Sequence, residues 1–236
     1  MSNIKIYYHQ YHSDKISESP FSLDGVGFKP EMVLNNTPKT SVYYDCPAWK
    51  HKATRTFQIR SPIDLKLKVD KEREKLQCVD WDLELFSELT QGTFVPGWCG
   101  DNVTIQFGIP QFLFWTNHKN VWIEIKPHAE SSIKNNISVI PAWFNMSNWT
   151  RPVGFAFNVV KPLRPVNIKR GDVIYEVCFY SKNLNDGVIL EEKEFPKELE
   201  KKALRMSMVK NLVPGLSQRL IFKNKESKCP FNFMWK

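Results

Sequence analysis

The stretch from Val139 to Tyr180, VIPAWFNMSNWTRPVGFAFNVVKPLRPVNIKRGDVIYEVCFY, decides the fold. Two runs rich in β-branched and aromatic residues, Val153 to Val160 and Val173 to Tyr180, flank a proline-broken basic connector that ends in Arg170-Gly171-Asp172. Runs of this composition bounded by Pro and Gly-Asp signals are strands meeting at a turn. The stretch therefore predicts a hairpin or meander corner at the heart of a β-sheet. In front of it stands an aromatic cluster, Trp143, Phe144 and Trp149 with Arg151, which is either a plug for one end of the core or a binding surface.

Outward from this centre the alternation continues. Ile63, Leu65, Leu67 and Val69 alternate with Asp64, Lys66, Lys68 and Asp70, the period-2 pattern of a half-buried strand. After the charged turn Lys71 to Glu74, Leu76 to Leu85 alternates again. Asp80, Asp82 and Glu84 share one of its faces, opposite in sign to the lysines of the preceding strand, which predicts an antiparallel hairpin. Thr54 to Ile59, Val103 to Ile109, Gln111 to Thr116 beyond Pro110, and Val121 to Ile125 are further short strands at the spacing of a sandwich or jelly roll. Ile4 to Tyr8 reads as a short strand, followed by a polar, serine-rich loop to Phe28. Near the other end Leu199, Ala203, Met206 and Val209 recur at three- and four-residue intervals within Lys197 to Leu212. This gives a helix with one apolar stripe for docking on the sheet and a lysine-rich opposite face.

The expected architecture is mainly β, an antiparallel β-sandwich or jelly-roll-like fold with one C-terminal amphipathic helix packed on it. A single β-rich domain is expected over 1–236, with an irregular N-terminal arm at 1–40, a β core at 41–191, and a helix and tail at 192–236. A length of 236 residues with 42% hydrophobic content suits one large all-β unit. Disorder is excluded over most of the chain by 13% aromatic residues. The net charge of +8 favours an anionic partner, although the charges do not cluster sharply along the sequence. Five widely spaced cysteines, Cys46, Cys78, Cys99, Cys178 and Cys229, contain no C-x-x-C pair and read as reduced thiols. No apolar run reaches the roughly 18 residues of a transmembrane helix, and no signal-peptide core is expected at the start, so the sequons at Asn35, Asn102, Asn136, Asn145 and Asn148 read as compositional.

Several residue sets carry possible chemistry. His128-x-Glu130 at a strand end is the spacing with which two-histidine-one-carboxylate iron sites begin, so Fe or another divalent metal is the cofactor this reading requires. No histidine follows His128, and the third ligand would have to be His51, His118 or a replacement. The competing reading is a strand-end turn with its polar groups in water. Asp80, Asp82 and Glu84 lie about 7 Å apart along a strand face, loose for one hard cation. His9 and His12 lack a supporting helix and read as surface residues; Cys46 and Cys99 match no nucleophile motif. Trp143, Trp149, Arg151 and Arg170 combine aromatic faces with guanidinium groups, the equipment of a stacking platform for bases. They equally suit a packed sandwich end in which Arg151 pairs with Asp172 or Glu176.

The segments Ile140-Pro141-Ala142-Trp143-Phe144-Asn145, Trp149-Thr150-Arg151-Pro152 and Ile168 to Phe179, with the ending Cys229 to Lys236, resemble an uncharacterised protein family encoded by tailed, T4-like phages. The resemblance implies phage origin, and hence the host cytoplasm or the virion, without implying a reaction or a catalytic residue. The Ile168-Lys169-Arg170-Gly171-Asp172-Val173-Ile174 entry also resembles one found in cupins and trimeric nucleotide-hydrolase barrels, where Gly-Asp turns the chain into a core strand; it speaks for β architecture alone. Two functions follow. One is a non-catalytic phage-encoded binding or structural module with aromatic and basic loops, its partner a protein or a second copy, with an anionic ligand or nucleic acid as the further option. The other is a jelly-roll metal-dependent enzyme, similar to non-haem iron oxygenases, built on His128 and Glu130.

Overall fold

The structure is a computed structural model that describes residues 3–11, 28–70, 75–79, 90–97, 100–146, 153–161 and 163–202. In chain order its elements are β1 (Asn3–Tyr11), β2 (Glu31–Met32), α1 (Val33–Asn36), α2 (Pro47–Ala53), β3 (Thr56–Arg60), β4 (Leu65–Asp70), β5 (Lys75–Cys78), β6 (Thr90–Gly97) and β7 (Gly100–Trp115). There follow β8 (Trp122–Pro127), α3 (Ala129–Asn135), β9 (Ile137–Val139), β10 (Ala142–Asn145), β11 (Val153–Val159), β12 (Val166–Ile168), β13 (Val173–Tyr180) and β14 (Gly187–Glu192). The protein is mainly β, as the alternation predicts. Among the described residues the strands form three sheets: β14-β1-β7-β11-β9 with β6 added on β7, β10-β8-β13-β3-β2, and β12-β4-β5. Every pairing is antiparallel except that of β1 with β14.

The first two sheets pack face to face, and the central stretch supplies both faces. On β11 the residues Val153, Phe155, Phe157 and Val159 are buried and those between them are not. On β13 the inward residues are Tyr175, Val177 and Phe179, opposite Ile125 and Ile123 of β8 and Ile59 and Phe57 of β3. Phe155 stacks on Tyr175 with centroids 5.3 Å apart, and Phe179 meets Phe114 of β7 edge-on at 5.5 Å. Burial of each such ring contributes about 1.5–3 kcal/mol. The expected hairpin between these two runs is corrected: β11 belongs to the first sheet and β13 to the second. Their connector holds β12, which pairs with β4 in the third sheet and carries the chain across the sandwich. Placed on facing sheets, two strands with inward aromatic rows bury both rows against each other.

The Arg170-Gly171-Asp172 turn joins the second and third sheets. Gly171 has φ +87°, a left-handed conformation that glycine adopts without strain. Its N–H donates to Ser61 O at 2.8 Å, its carbonyl accepts from Arg60 Nη1 at 2.8 Å, and Ser61 N–H donates to Asp172 O at 2.8 Å. The Asp172 carboxylate accepts from the Lys169 N–H at 3.0 Å and meets Lys134 Nζ of α3 at 2.7 Å. Burial works to raise the pKa of this carboxyl, but the hydrogen bonds from Lys134 and Lys169 prevail and hold it below the usual carboxylate range.

Three other expectations change. Ile4 to Tyr8 is a strand, but it runs from Asn3 to Tyr11 between β14 and β7, with Ile4, Ile6 and Tyr8 in the core. The irregular arm placed at 1–40 is corrected to that extent. Pro110 does not end a strand. Instead β7 runs through it and changes neighbour, pairing with β6 up to Phe107 and with β1 from Gln111, while the register with β11 slips between Val153 and Phe155. A proline without an N–H suits this exchange point. The β4–β5 hairpin forms with Lys68 opposite Gln77 and Val69 opposite Leu76. Asp80, Asp82 and Glu84 lie outside the described residues. So do Cys99, Cys229, His12 and residues 203–236 beyond the helical segment 197–202, where Leu199 N–H reaches Pro196 O at 2.9 Å. No helix among the described residues is long and apolar enough to cross a membrane.

Candidate functional site

The outward face of the second sheet carries the residues that the core does not use. Strand β8 sends Ile123 and Ile125 inward, so Trp122, Glu124 and Lys126 project outward. In register with them on β13 stand Tyr180, Cys178 and Glu176, and on the other side Trp143 of β10 lies opposite Glu124. Strand β10 is the sheet's edge and carries no charged residue. Its Phe144 turns toward the core, and Trp143, 60% exposed, turns to solvent.

These outward groups form an aromatic cluster over a floor of three charged side chains, Glu124, Lys126 and Glu176. Trp143 meets Trp122 edge-to-face, centroids 5.4 Å apart and planes at 83°, and lies near-parallel to Tyr180 at 6.3 Å and 22°. Such pairs add about 0.5–1.5 kcal/mol beyond burial. The Tyr180 hydroxyl donates to Glu124 Oε2 at 2.6 Å, and burial, followed by Cys178 and Glu124, pushes its phenol up. Lys126 Nζ pairs with Glu176 Oε2 at 2.7 Å.

Beside the cluster, α2 and its approach cover the rest of this face. Pro47 occupies the first helical turn, where its missing N–H has no intrahelical partner to lose. Thr56 Oγ1 donates to Lys52 O at 2.8 Å, tying the last turn to β3, and the buried Arg55 donates to Leu184 O and Asp186 O of the loop after Tyr180. His51 Nε2 lies 2.7 Å from Leu184 O. Trp49 packs on Tyr43 at 5.0 Å and Tyr44 at 5.9 Å, with Lys50 over the Tyr44 ring.

The structure separates the residues that the sequence grouped. Trp143 faces outward. Arg170 sits on the turn at the opposite end of β13, its guanidinium over the Phe28 ring at 5.7 Å and its N–H on Asp64 Oδ1 at 2.8 Å. The eight residues from there to the level of Trp143 span about 26 Å at 3.3 Å each, so Trp143 and Arg170 do not form one platform. Trp149 and Arg151 lie outside the described residues. Trp122, Tyr180, Lys52 and Lys182 were not singled out, although period-2 phasing from Ile123 and Phe179 places the first two on the outer face.

His128 and Glu130 have another use. His128 is the N-cap of α3: its Nδ1 accepts from Ser131 N–H at 3.4 Å and lies 3.0 Å from Ser131 Oγ, which in turn donates to Val173 O. Glu130 lies in the first turn, where a negative charge meets the positive end of the helix. The strand-end turn of the sequence reading is thus a helix start. His118 is in the turn at the Trp122 end of β8, about 20 Å along the strand from His128, and His51 is on α2. Among the described residues no three His, Cys, Asp or Glu side chains gather where they could hold a metal ion.

No protein-family model matches the chain, and no curated protein matches it. Among solved structures, an EIAV dUTPase matches at 8% identity over 80% of this chain and 99% of that one, with a TM-score of 0.36. The dUTPase of Staphylococcus bacteriophage 80alpha matches at 9% identity over 74% of this chain and 94% of that one, TM-score 0.35. A dUTPase from phage phi11 of S. aureus covers 71% of this chain and 97% of its own at 7% identity, TM-score 0.32. Similarity at this level assigns the chain neither to that family nor to its activity.

Proposed function

We propose that the chain is a phage-encoded, non-catalytic binding module whose recognition surface is the outward aromatic face around Trp143. The observation that carries the reading is the exposure of Trp143 on an uncharged edge strand, propped by Trp122 and Tyr180. A large ring held rigidly in water at a sheet edge stabilises the fold little and is suited to a contact, since aromatic anchors dominate binding surfaces. The phage origin rests on the resemblance of the 140–179 segments. The engagement of the His128 ring by Ser131, with His118 about 20 Å away along β8, favours the binding module over the metal-dependent enzyme.

Replacement of Trp143 by alanine tests the proposal. The variant is expected to melt within a few degrees of the wild type, as exposed substitutions do, while losing concentration-dependent self-association in light scattering or ligand binding in titration. Unchanged association and ligand binding in a folded variant would remove the basis of the reading. Stoichiometric iron in the purified protein, lost in His128→Ala, would restore the metal-dependent enzyme.

A further inference from the structure

We infer that two copies of the chain associate edge to edge through β14, extending the first sheet across a two-fold axis that passes between their Ile189 residues. Among the described residues β14 pairs only with β1 and forms an edge of the first sheet. Sheet edges are normally protected by shortness, proline or charge. The other described edges follow this rule: β2 has two residues, β9 and β12 three each and β10 four, while β6 contains Pro96 and β5 begins at Lys75. Strand β14 has six residues and opens with Gly187-Val188-Ile189-Leu190, without charge or proline, and Ile189 is 37% exposed. Its acids come last, Glu191 paired with Lys5 at 2.9 Å and Glu192 with Lys29 at 2.7 Å.

The backbone decides which groups this edge offers. Lys193 N–H donates to Tyr8 O at 2.9 Å, and alternate residues of a strand turn both backbone groups to the same side. Glu191, Ile189 and Gly187 therefore turn theirs to β1, and Val188 and Leu190 turn theirs to the open edge. Their side chains lie against the core, in register with Ile4 and Ile6, while Ile189 lies outward with Lys5. A two-fold axis perpendicular to the sheet sets each residue opposite one on the same face of the other copy. With the axis at Ile189, Val188 meets Leu190 and Leu190 meets Val188, which makes about four main-chain hydrogen bonds. Gly187 then meets Glu191, so no acid opposes an acid. With the axis at Leu190, Ile189 would meet Glu191 and Val188 would meet Glu192; at Glu191, like charges would meet. The edge is thus complementary to itself in one register, which selects a second copy as the partner. Lys29, just before β2, reaches Glu192, so β14 lies on the β2 side of the sandwich, and β10 with Trp143 is the far edge of the second sheet. The contact is separate from the Trp143 surface.

Sedimentation of the whole chain, combined with diamide oxidation of Ile189→Cys, tests this. In the selected register the two Ile189 Cα atoms form a non-hydrogen-bonded pair about 4.5 Å apart, within disulfide reach. Oxidised Ile189→Cys should run as a covalent dimer, linked between the two copies of position 189 by peptide mass spectrometry. Leu190→Cys, offset from its own copy and turned to the core, and the oxidised wild type should give no such link. Ile189→Glu stands beside Lys5 in its own sheet but sets two carboxylates face to face across the axis. It should weaken the dimer at least about tenfold while the dilute protein melts within a few degrees of the wild type. Trp143→Ala should leave the dimer intact. A wild type that stays monomeric at high micromolar concentration would overturn the inference, as would a dimer that Ile189→Glu leaves intact and Ile189→Cys does not link. A dimer lost in Trp143→Ala and kept in Ile189→Glu would overturn it while supporting the Trp143 face as the recognition surface.

Discussion

Asp172→Ala isolates the contact on which the junction of the second and third sheets depends. The carboxylate accepts from the Lys169 N–H at 3.0 Å and is largely enclosed, 13% of the side chain remaining exposed. A hydrogen bond to a charged group contributes about 1.5–3 kcal/mol, whereas the exposed Lys134 is screened by solvent and adds little. Losing the acceptor should therefore cost about 2–3 kcal/mol, and at 2–4 °C per kcal/mol for a chain of this size the melting temperature should fall by about 4–12 °C. Asp172→Asn, which keeps an acceptor oxygen, should lose about half as much. Because the folded carboxyl is held below its usual range, its contribution is fully present above about pH 3.9 and disappears as the pH falls through the folded value. Melts followed by circular dichroism should give a constant gap between wild type and Asp172→Ala from neutral pH to about pH 5, closing at lower pH. A gap that persists undiminished in acid, or no gap at neutral pH, would refute the assignment.

Other perturbations probe other levels. Phe155→Ala removes a ring that is 3% exposed and stacked on Tyr175, and should destabilise by about 3–5 kcal/mol in urea unfolding without moving the Trp143 surface. His128→Ala deletes the cap of α3 and should cost about 1 kcal/mol in the same assay, with the metal content of the protein unchanged. Gly171→Ala would place its Cβ in ordinary contact with Phe28 Cζ, 3.7 Å away and without a clash, yet should destabilise by about 1–2 kcal/mol through its positive φ alone.

Alternation made the strands legible because one inward residue in two is a local property. It exposes β4, β8 and β11 with nearly their observed bounds, whereas β13, buried at every position from Ile174 to Phe179, was legible from its β-branched and aromatic composition. Sheet membership is not local: β11 and β13 have the same inward pattern whether they lie side by side or face to face, and only the pairing of β12 with β4 decides it. The α2 helix was missed although Pro47 marks its first turn, since seven residues carry no measurable periodicity. His128 was misread because the helix that it caps is equally short, with Asn136 at φ 59° closing it in the left-handed conformation that asparagine tolerates. Of the candidate site, Trp143 was legible by type, but its direction was not. That direction follows from Phe144 filling the core beside it.

The central claim is that Trp143 faces water until a ligand covers it. Oxidative footprinting read by mass spectrometry measures this directly, with the buried Tyr175 as the internal standard. Trp143 should be modified readily in the free protein, while Tyr175 stays inert throughout. A Trp143 as inert as Tyr175 in the free protein would contradict the account.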